Sequence, residues 1–182
     1  MSKPIPFYRT LLLSGEVDNE TVKPIITAIM DINRDDDLKE EDYRDWERTP
    51  ILLFLNTNGG SCYDAWALVD IIKASKTPVH TIALGWCMSA GLLIFTAGHK
   101  RLTSANATLM YHDVFGGSSG KTELIRQELN ECKRLSQKYC DAITEISLIK
   151  QEQLDDYINR KAEWYIPAEE AIKLKLADGY YK

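Results

Sequence analysis

Ile51-Leu52-Leu53-Phe54-Leu55-Asn56-Thr57-Asn58-Gly59-Gly60 is the stretch that decides the architecture. Five consecutive apolar residues suit a strand covered on both faces, not one with a wet side. Asn56 to Gly60 then stops the run. Paired glycines permit positive φ and let the backbone approach another group closely. A helix from about Cys62 to Ser75 follows directly. Val79-His80-Thr81-Ile82-Ala83-Leu84 reads as a second strand, ended by Gly85. Strand, glycine turn, helix and strand in this order make a βαβ unit. The fold class is therefore α/β with a mostly parallel sheet.

Upstream, Thr10 to Ser14 reads as a strand, and Asp18 or Asn19 stands where a helix cap belongs. The helix is expected from about Glu20 to Asn33. Its stripe is Val22, Ile25, Ile26, Ile29 and Met30, and Pro24 falls in its first turn. The charged stretch from Asp35 to Thr49 reads as an exposed loop with room for a helical turn. Its acidic run, Asp35 to Asp42, is expected to be solvated.

Downstream, the second strand meets Ser89 at a turn. An apolar helix runs from about Ala90 to Thr96, closed by Gly98, and a short strand near Ala107 to Tyr111 leads into His112. After Gly116, Gly117 and Gly120 comes a long polar helix, about Thr122 to Ile146. A last helix and strand occupy about Ala168 to Tyr181. No internal repeat, low-complexity tract or linker divides the 182 residues, so a single domain is expected.

Composition narrows the function classes. Apolar residues make up 45% and charged residues 27%, an ordinary mix for a folded soluble chain. The net charge of −5 and the lack of a basic face argue against nucleic acid as partner. No apolar run reaches the ~18 residues that would span a bilayer. Met1 to Pro6 carries no signal-peptide pattern. Cys62, Cys87, Cys132 and Cys140 form no CxxC pair or metal-ligand spacing. Reduced thiols and a cytoplasmic setting are expected, with no metal and no cofactor. Cys87, two residues before Ser89, is read as a small packing residue.

Three places could carry chemistry. Gly59-Gly60 could turn backbone amides toward an anion or a carbonyl oxygen. In Gly85-Trp86-Cys87-Met88-Ser89-Ala90-Gly91 a serine among small neighbours sits at a strand-to-helix junction, where helix-start amides can stabilise an oxyanion. The spacing is not that of a G-x-S-x-G elbow. Met110-Tyr111-His112-Asp113 ends a strand and offers His112 as general base. Taken singly, these are a plain turn, a helix cap and a structural histidine. His80 and His99 stay with the bland reading.

Taken together and in order, these motifs resemble those of ClpP, the caseinolytic peptidase family with the ClpP/crotonase-like fold. The resemblance covers about Thr10 to Tyr180. It rests on Asn56 to Gly60, on Ser89-Ala90-Gly91 with the apolar run to Gly98, and on Met110 to Gly117. It implies repeated β-β-α units with a protruding handle helix, the handle region falling at about 113–147. It also implies a serine endopeptidase acting on peptides or unfolded protein. Ser89 would be the nucleophile and His112 the base, with the Gly60 and Ala90 amides as the oxyanion hole. Gly116 and Gly117 would bind substrate. Heptameric rings stacked in pairs, and an ATPase unfoldase as possible partner, also follow from the resemblance.

The chain departs from the family pattern in places. The slot of the third triad acid falls on Glu163, in place of the usual aspartate, with Asp156 as the alternative. A Ser-His-Glu set is chemically sound. Asp113 should lie on the other side of its strand from His112. Met88 and Trp86 are bulkier than the usual residues and are expected to narrow the pocket. The segment ahead of Thr10 is shorter than the family's axial loops, and the 35–49 stretch is longer than usual. Two other readings remain: a non-catalytic ring subunit of the same fold, and a crotonase-type acyl-CoA enzyme.

Overall fold

The computed structural model describes residues 5–117 and 119–182. Met1–Pro4, part of the short N-terminal segment, and Ser118, within the expected handle region, lie outside them. A 3-10 turn, Phe7–Arg9, leads into β1 (Thr10–Val17), α1 (Asn19–Asp42), β2 (Ile51–Gly60) and α2 (Cys62–Ala74). Next come β3 (Val79–Met88), α3 (Ala90–Thr96), β4 (Lys100–Thr103) and β5 (Thr108–Tyr111). The chain ends with α4 (Thr122–Ile146), α5 (Gln151–Arg160), β6 (Trp164–Pro167), α6 (Ala168–Lys173) and β7 (Gly179–Tyr180).

The α/β expectation holds. Strands β1, β2, β3, β4 and β7 lie side by side in that order, each pair parallel. Ile51, Leu53 and Leu55 of β2 are fully buried, as an uninterrupted apolar strand between two neighbours requires. Helix α2 covers the sheet with Ala65, Leu68, Val69 and Ile72, spaced for one helical face. Helix α3 is buried along its whole length, which fits a helix apolar on all sides.

The sequence misplaces one strand end and misses three elements, each for a physical reason. Gly85 does not end the second strand. With φ of 27°, and a register shift between Leu55 and Thr57 of β2, it redirects β3. The first half of β3 pairs with β4, and residues Trp86 to Met88 pair with β5. β4, α5 and β6 go unforeseen because they are short or mostly polar, so their pairing partners define them. β6 runs antiparallel to β5, the exception in a parallel sheet.

The largest correction is at Asp35 to Asp42, which is helix, not loop. Asp18 caps α1 through a capping box with Thr21, and the helix continues through Asp42. Pro24 sits in its second turn, exposed, where it removes one intrahelical bond; Met30 is exposed, and Ile32 joins the buried stripe instead. The acidic end holds because its carboxylates find arginines. Asp36 is fully buried and takes both arms of Arg9, at 2.9 and 2.5 Å. The Thr77 hydroxyl adds a third bond to it at 2.7 Å, and Arg9 also donates to the Thr49 carbonyl at 2.6 Å. Arg48 reaches Asp37 and Glu40, each at 2.6 Å. Burial alone would raise the Asp36 pKa. The bonds from Arg9 and Thr77 outweigh it and hold the carboxyl below its ordinary range.

Helix α4 has two unlike halves. Leu135, Tyr139, Cys140, Ala142 and Ile143 are buried against the body of the protein. Leu124, Ile125 and Leu129 remain 46%, 42% and 52% exposed. Among the described residues no helix is long and apolar enough to cross a membrane.

Candidate active site

Ser89 occupies the single residue between β3 and α3. Its backbone, at φ 51° and ψ −122°, lies in a region that residues with a side chain rarely adopt. Such strain costs about 1–3 kcal/mol and persists only where the surroundings over-determine it. Here they do. The Ser89 N–H donates to the Met110 carbonyl at 2.9 Å. The Ser89 carbonyl accepts from Leu93 N–H at 3.1 Å and from the Tyr139 hydroxyl at 2.9 Å.

The neighbours must be small. A Cβ on Gly59 would stand 2.7 Å from Ser89 Cβ and 3.2 Å from the Ala90 nitrogen. A Cβ on Gly91 would stand 2.4 Å from the Thr57 methyl group. Both glycines are thus fixed by close approach. Gly59 also has φ of 105°. Its N–H is engaged, donating to Thr57 Oγ1 at 3.0 Å. Ala90 is the first residue of α3, so its N–H falls in the turn that has no intrahelical acceptor.

One cavity, about 750 Å³, collects most of the residues singled out in the sequence. Ser89, His112, Gly60, Ala90, Gly116 and Gly117 all line it. Helix α4 forms the far wall with Glu131, Cys132, Leu135 and Tyr139. Cys62 and Tyr63 at the start of α2 close one side. Tyr63 donates to Glu131 at 2.9 Å. Arg134 and Tyr63 together draw the Glu131 carboxyl down to about 2. Burial raises the Cys62 thiol above its usual range.

His112 follows directly after β5 and is half-buried. Its neighbour Tyr111 is buried, with its ring against that of Tyr139 at 5.3 Å between centroids. No hydrogen bond joins the Ser89 and His112 side chains in this structure. Catalytic hydrogen bonds of this kind often tighten only in the substrate complex. Asp113 lies beyond β5, lines the same cavity as His112 and accepts from Ser136 at 2.6 Å.

Glu163 does not line the cavity. It is exposed, and its carboxylate accepts the Tyr165 hydroxyl. That bond raises the Tyr165 pKa. The strand register nonetheless bears on it. Tyr111 pairs with Trp164, the last pair of the ladder, and one further step in the same register would set Glu163 across from His112. Asp156 lies on α5, exposed and paired with Arg160 at 2.7 Å.

Three other expectations can be placed. Cys87 is fully buried, its thiol pushed up by burial and within 3.3 Å of the Gly91 carbonyl, so it packs. His99 Nδ1 accepts from Val79 N–H at 3.1 Å, a structural contact. Trp86 and Met88 do not narrow the Ser89 cavity. They line a separate shallow depression with Asn56 and Tyr165. Sequence reading missed Gly59 and Thr57 as steric partners of the serine turn. It also missed Tyr139, whose place on the buried face of α4 looks like ordinary core.

The fold and this cavity can now be set beside known proteins. The family profile described as Clp protease matches residues 6–181. The chain belongs to the Clp protease family. Similar members include the ATP-dependent Clp protease proteolytic subunit of Borreliella afzelii. It is 27% identical over 172 residues, covering 93% of this chain and 81% of that one. Proteolytic subunit 1 of Prochlorococcus marinus is 25% identical over 172 residues, with 93% and 82% covered. Among solved structures, a ClpP1 mutant from Listeria monocytogenes superposes with a TM-score of 0.80 at 22% identity, covering 96% of this chain and 92% of that one. The fold is therefore that of ClpP, and the chain is a divergent ClpP-like member of the Clp protease family.

Proposed function

We propose that this chain is a serine endopeptidase core, a single domain that cleaves peptides or unfolded protein without itself using ATP. The observation that carries the reading is the strained Ser89 turn sharing one cavity with His112, Gly60 and Ala90. Gly59 has its amide engaged by Thr57, which leaves Gly60 and Ala90 as the candidate oxyanion donors. Ser89 Oγ attacks the scissile carbonyl while His112 takes its proton. The amides stabilise the tetrahedral oxyanion, each by about 2.7–4 kcal/mol. His112 then protonates the leaving amine, and an acyl-Ser89 ester remains. Water, deprotonated by His112, hydrolyses the ester and returns the proton to Ser89. Glu163 orients the imidazole and stabilises its charged form once the Tyr165 bond yields. The backbone at Gly116 and Gly117, on the cavity rim, aligns the substrate strand.

The assembly is part of the same proposal. Leu124, Ile125 and Leu129 form an apolar stripe that stays about half exposed among the described residues. A second copy would bury it, closing rings around the active sites. A cytoplasmic setting and an unfoldase partner accord with this role. The test is hydrolysis of a fluorogenic peptide by the assembled protein. Activity lost in Ser89→Ala supports the reading, and activity unchanged in that variant refutes it.

A non-catalytic ring subunit is the second reading. The observation in its favour is Glu163, bonded to Tyr165 and outside the cavity. It predicts assembly with no cleavage by the wild-type chain.

A further inference from the structure

We infer that Tyr139 is a positioning residue for the oxyanion hole: its hydroxyl sets and polarises the Ala90 amide through the Ser89 carbonyl. The inference rests on the reading of Ser89 as nucleophile and goes beyond it to a residue on another element.

The Ser89 carbonyl and the Ala90 N–H belong to one peptide unit. That unit is planar and trans, so the C=O and N–H vectors point in opposite directions. Fixing one fixes the other. The Ser89 oxygen receives two donors, Leu93 N–H at 3.1 Å and Tyr139 O–H at 2.9 Å. The first is the bond of a regular helix turn. The second comes from α4, fifty positions along the chain. Because Ser89 sits at φ 51° and ψ −122°, the torsional preference of its backbone opposes this orientation of the peptide plane, and the carbonyl bonds help to hold it. A hydrogen bond to a carbonyl also draws charge through the amide. That makes its N–H a stronger donor, the cooperative effect expected where water is excluded.

Tyr139 is itself held well. It is 4% exposed, and its ring rests on Tyr111, whose hydroxyl meets Cys140 Sγ at 3.2 Å. Tyr111 precedes His112, and Met110, two residues before His112, accepts the Ser89 N–H. One residue of α4 therefore touches the frames of both the nucleophile and the base. Burial raises the Tyr139 pKa well above its usual value, so the hydroxyl keeps its proton and stays a donor across the working range.

The test is Tyr139→Phe, which keeps the ring on Tyr111 and removes only the donor. The rate of acylation by a small fluorophosphonate, and kcat for a peptide, should fall about tenfold, with KM unchanged. Ile143→Val, a packing change on the same helix away from the cavity, controls for stability and should leave both rates unchanged. Amide hydrogen exchange in folded protein gives a readout independent of activity: exchange over Ala90–Leu93 should rise in Tyr139→Phe and stay unchanged in Ile143→Val. Wild-type rates and unchanged exchange in Tyr139→Phe would overturn the inference. A loss equal in both variants would also overturn it, by reducing Tyr139 to packing. If the wild-type chain does not acylate at all, the peptidase reading fails. The exchange data then still decide whether Tyr139 holds this peptide.

Discussion

Ser89 and Asp36 are both kept where a free residue would not stay, and they are kept there by different means. Ser89 bears backbone strain, offset by hydrogen bonds to its own peptide groups and by small neighbours within a few ångströms. Asp36 bears a buried charge, offset by side chains 27 and 41 positions away. The first arrangement leaves a reactive hydroxyl at the edge of a cavity. The second turns both carboxylate oxygens inward, onto Arg9 and the Thr77 hydroxyl, and leaves neither for a substrate. Strain beside open space marks a working site, whereas a buried carboxylate held by an arginine is architecture.

The contrast can be broken most severely at Glu163. Glu163→Gln should lower kcat by roughly 10²–10⁴-fold if the carboxylate orients His112, while Asp156→Asn changes nothing. Equal loss in both variants, read in peptide-cleavage assays, would remove Glu163 from the triad. Next is Asp36→Ala, which strands Arg9 in the core and should cost about 3–5 kcal/mol in denaturant unfolding. The folded fraction should still acylate at the wild-type rate, since the clamp lies away from the cavity. A variant of full stability would show that the pair does not hold α1.

The same carboxyl gives a pH signature. Its folded pKa lies below the unfolded value of about 3.9, so its contribution is complete above that value. The contribution disappears as pH falls through the folded pKa. Melting temperature should therefore drop in acid below about pH 4. Asp36→Asn should flatten that drop, and an unchanged slope would assign it to other carboxylates. The smallest effect on the fold is expected on the exposed half of α4. Leu129→Asp should leave the stability of one subunit within about 0.5 kcal/mol yet shift light scattering toward smaller species. Retained full-size assembly would show that the stripe is not the interface.

The contrast also explains what was legible in the sequence. The β2–α2–β3 unit and α3 could be read because their residues carry unbroken apolar runs and adjacent glycines. The grouping of Ser89, His112, Gly60 and Ala90 followed from motif order along the chain, and the cavity gathers them. The acidic end of α1 was misread because a run of carboxylates carries no sign of an arginine far upstream. Tyr139 was missed for the same reason, since its bond to Ser89 spans 50 positions. Gly85 misled because a glycine that ends a strand and one that bends it look alike before the partner strand is known. Sequence reading thus finds what neighbours determine and loses what distant partners determine.

The most direct test of the central claim is mass spectrometry of the intact, assembled protein after treatment with a fluorophosphonate, with the adduct mapped by digestion. One adduct per chain on Ser89, absent in Ser89→Ala and in His112→Ala, is the predicted result. Folded, assembled protein without an adduct at Ser89, or with an equal adduct in His112→Ala, would contradict the account.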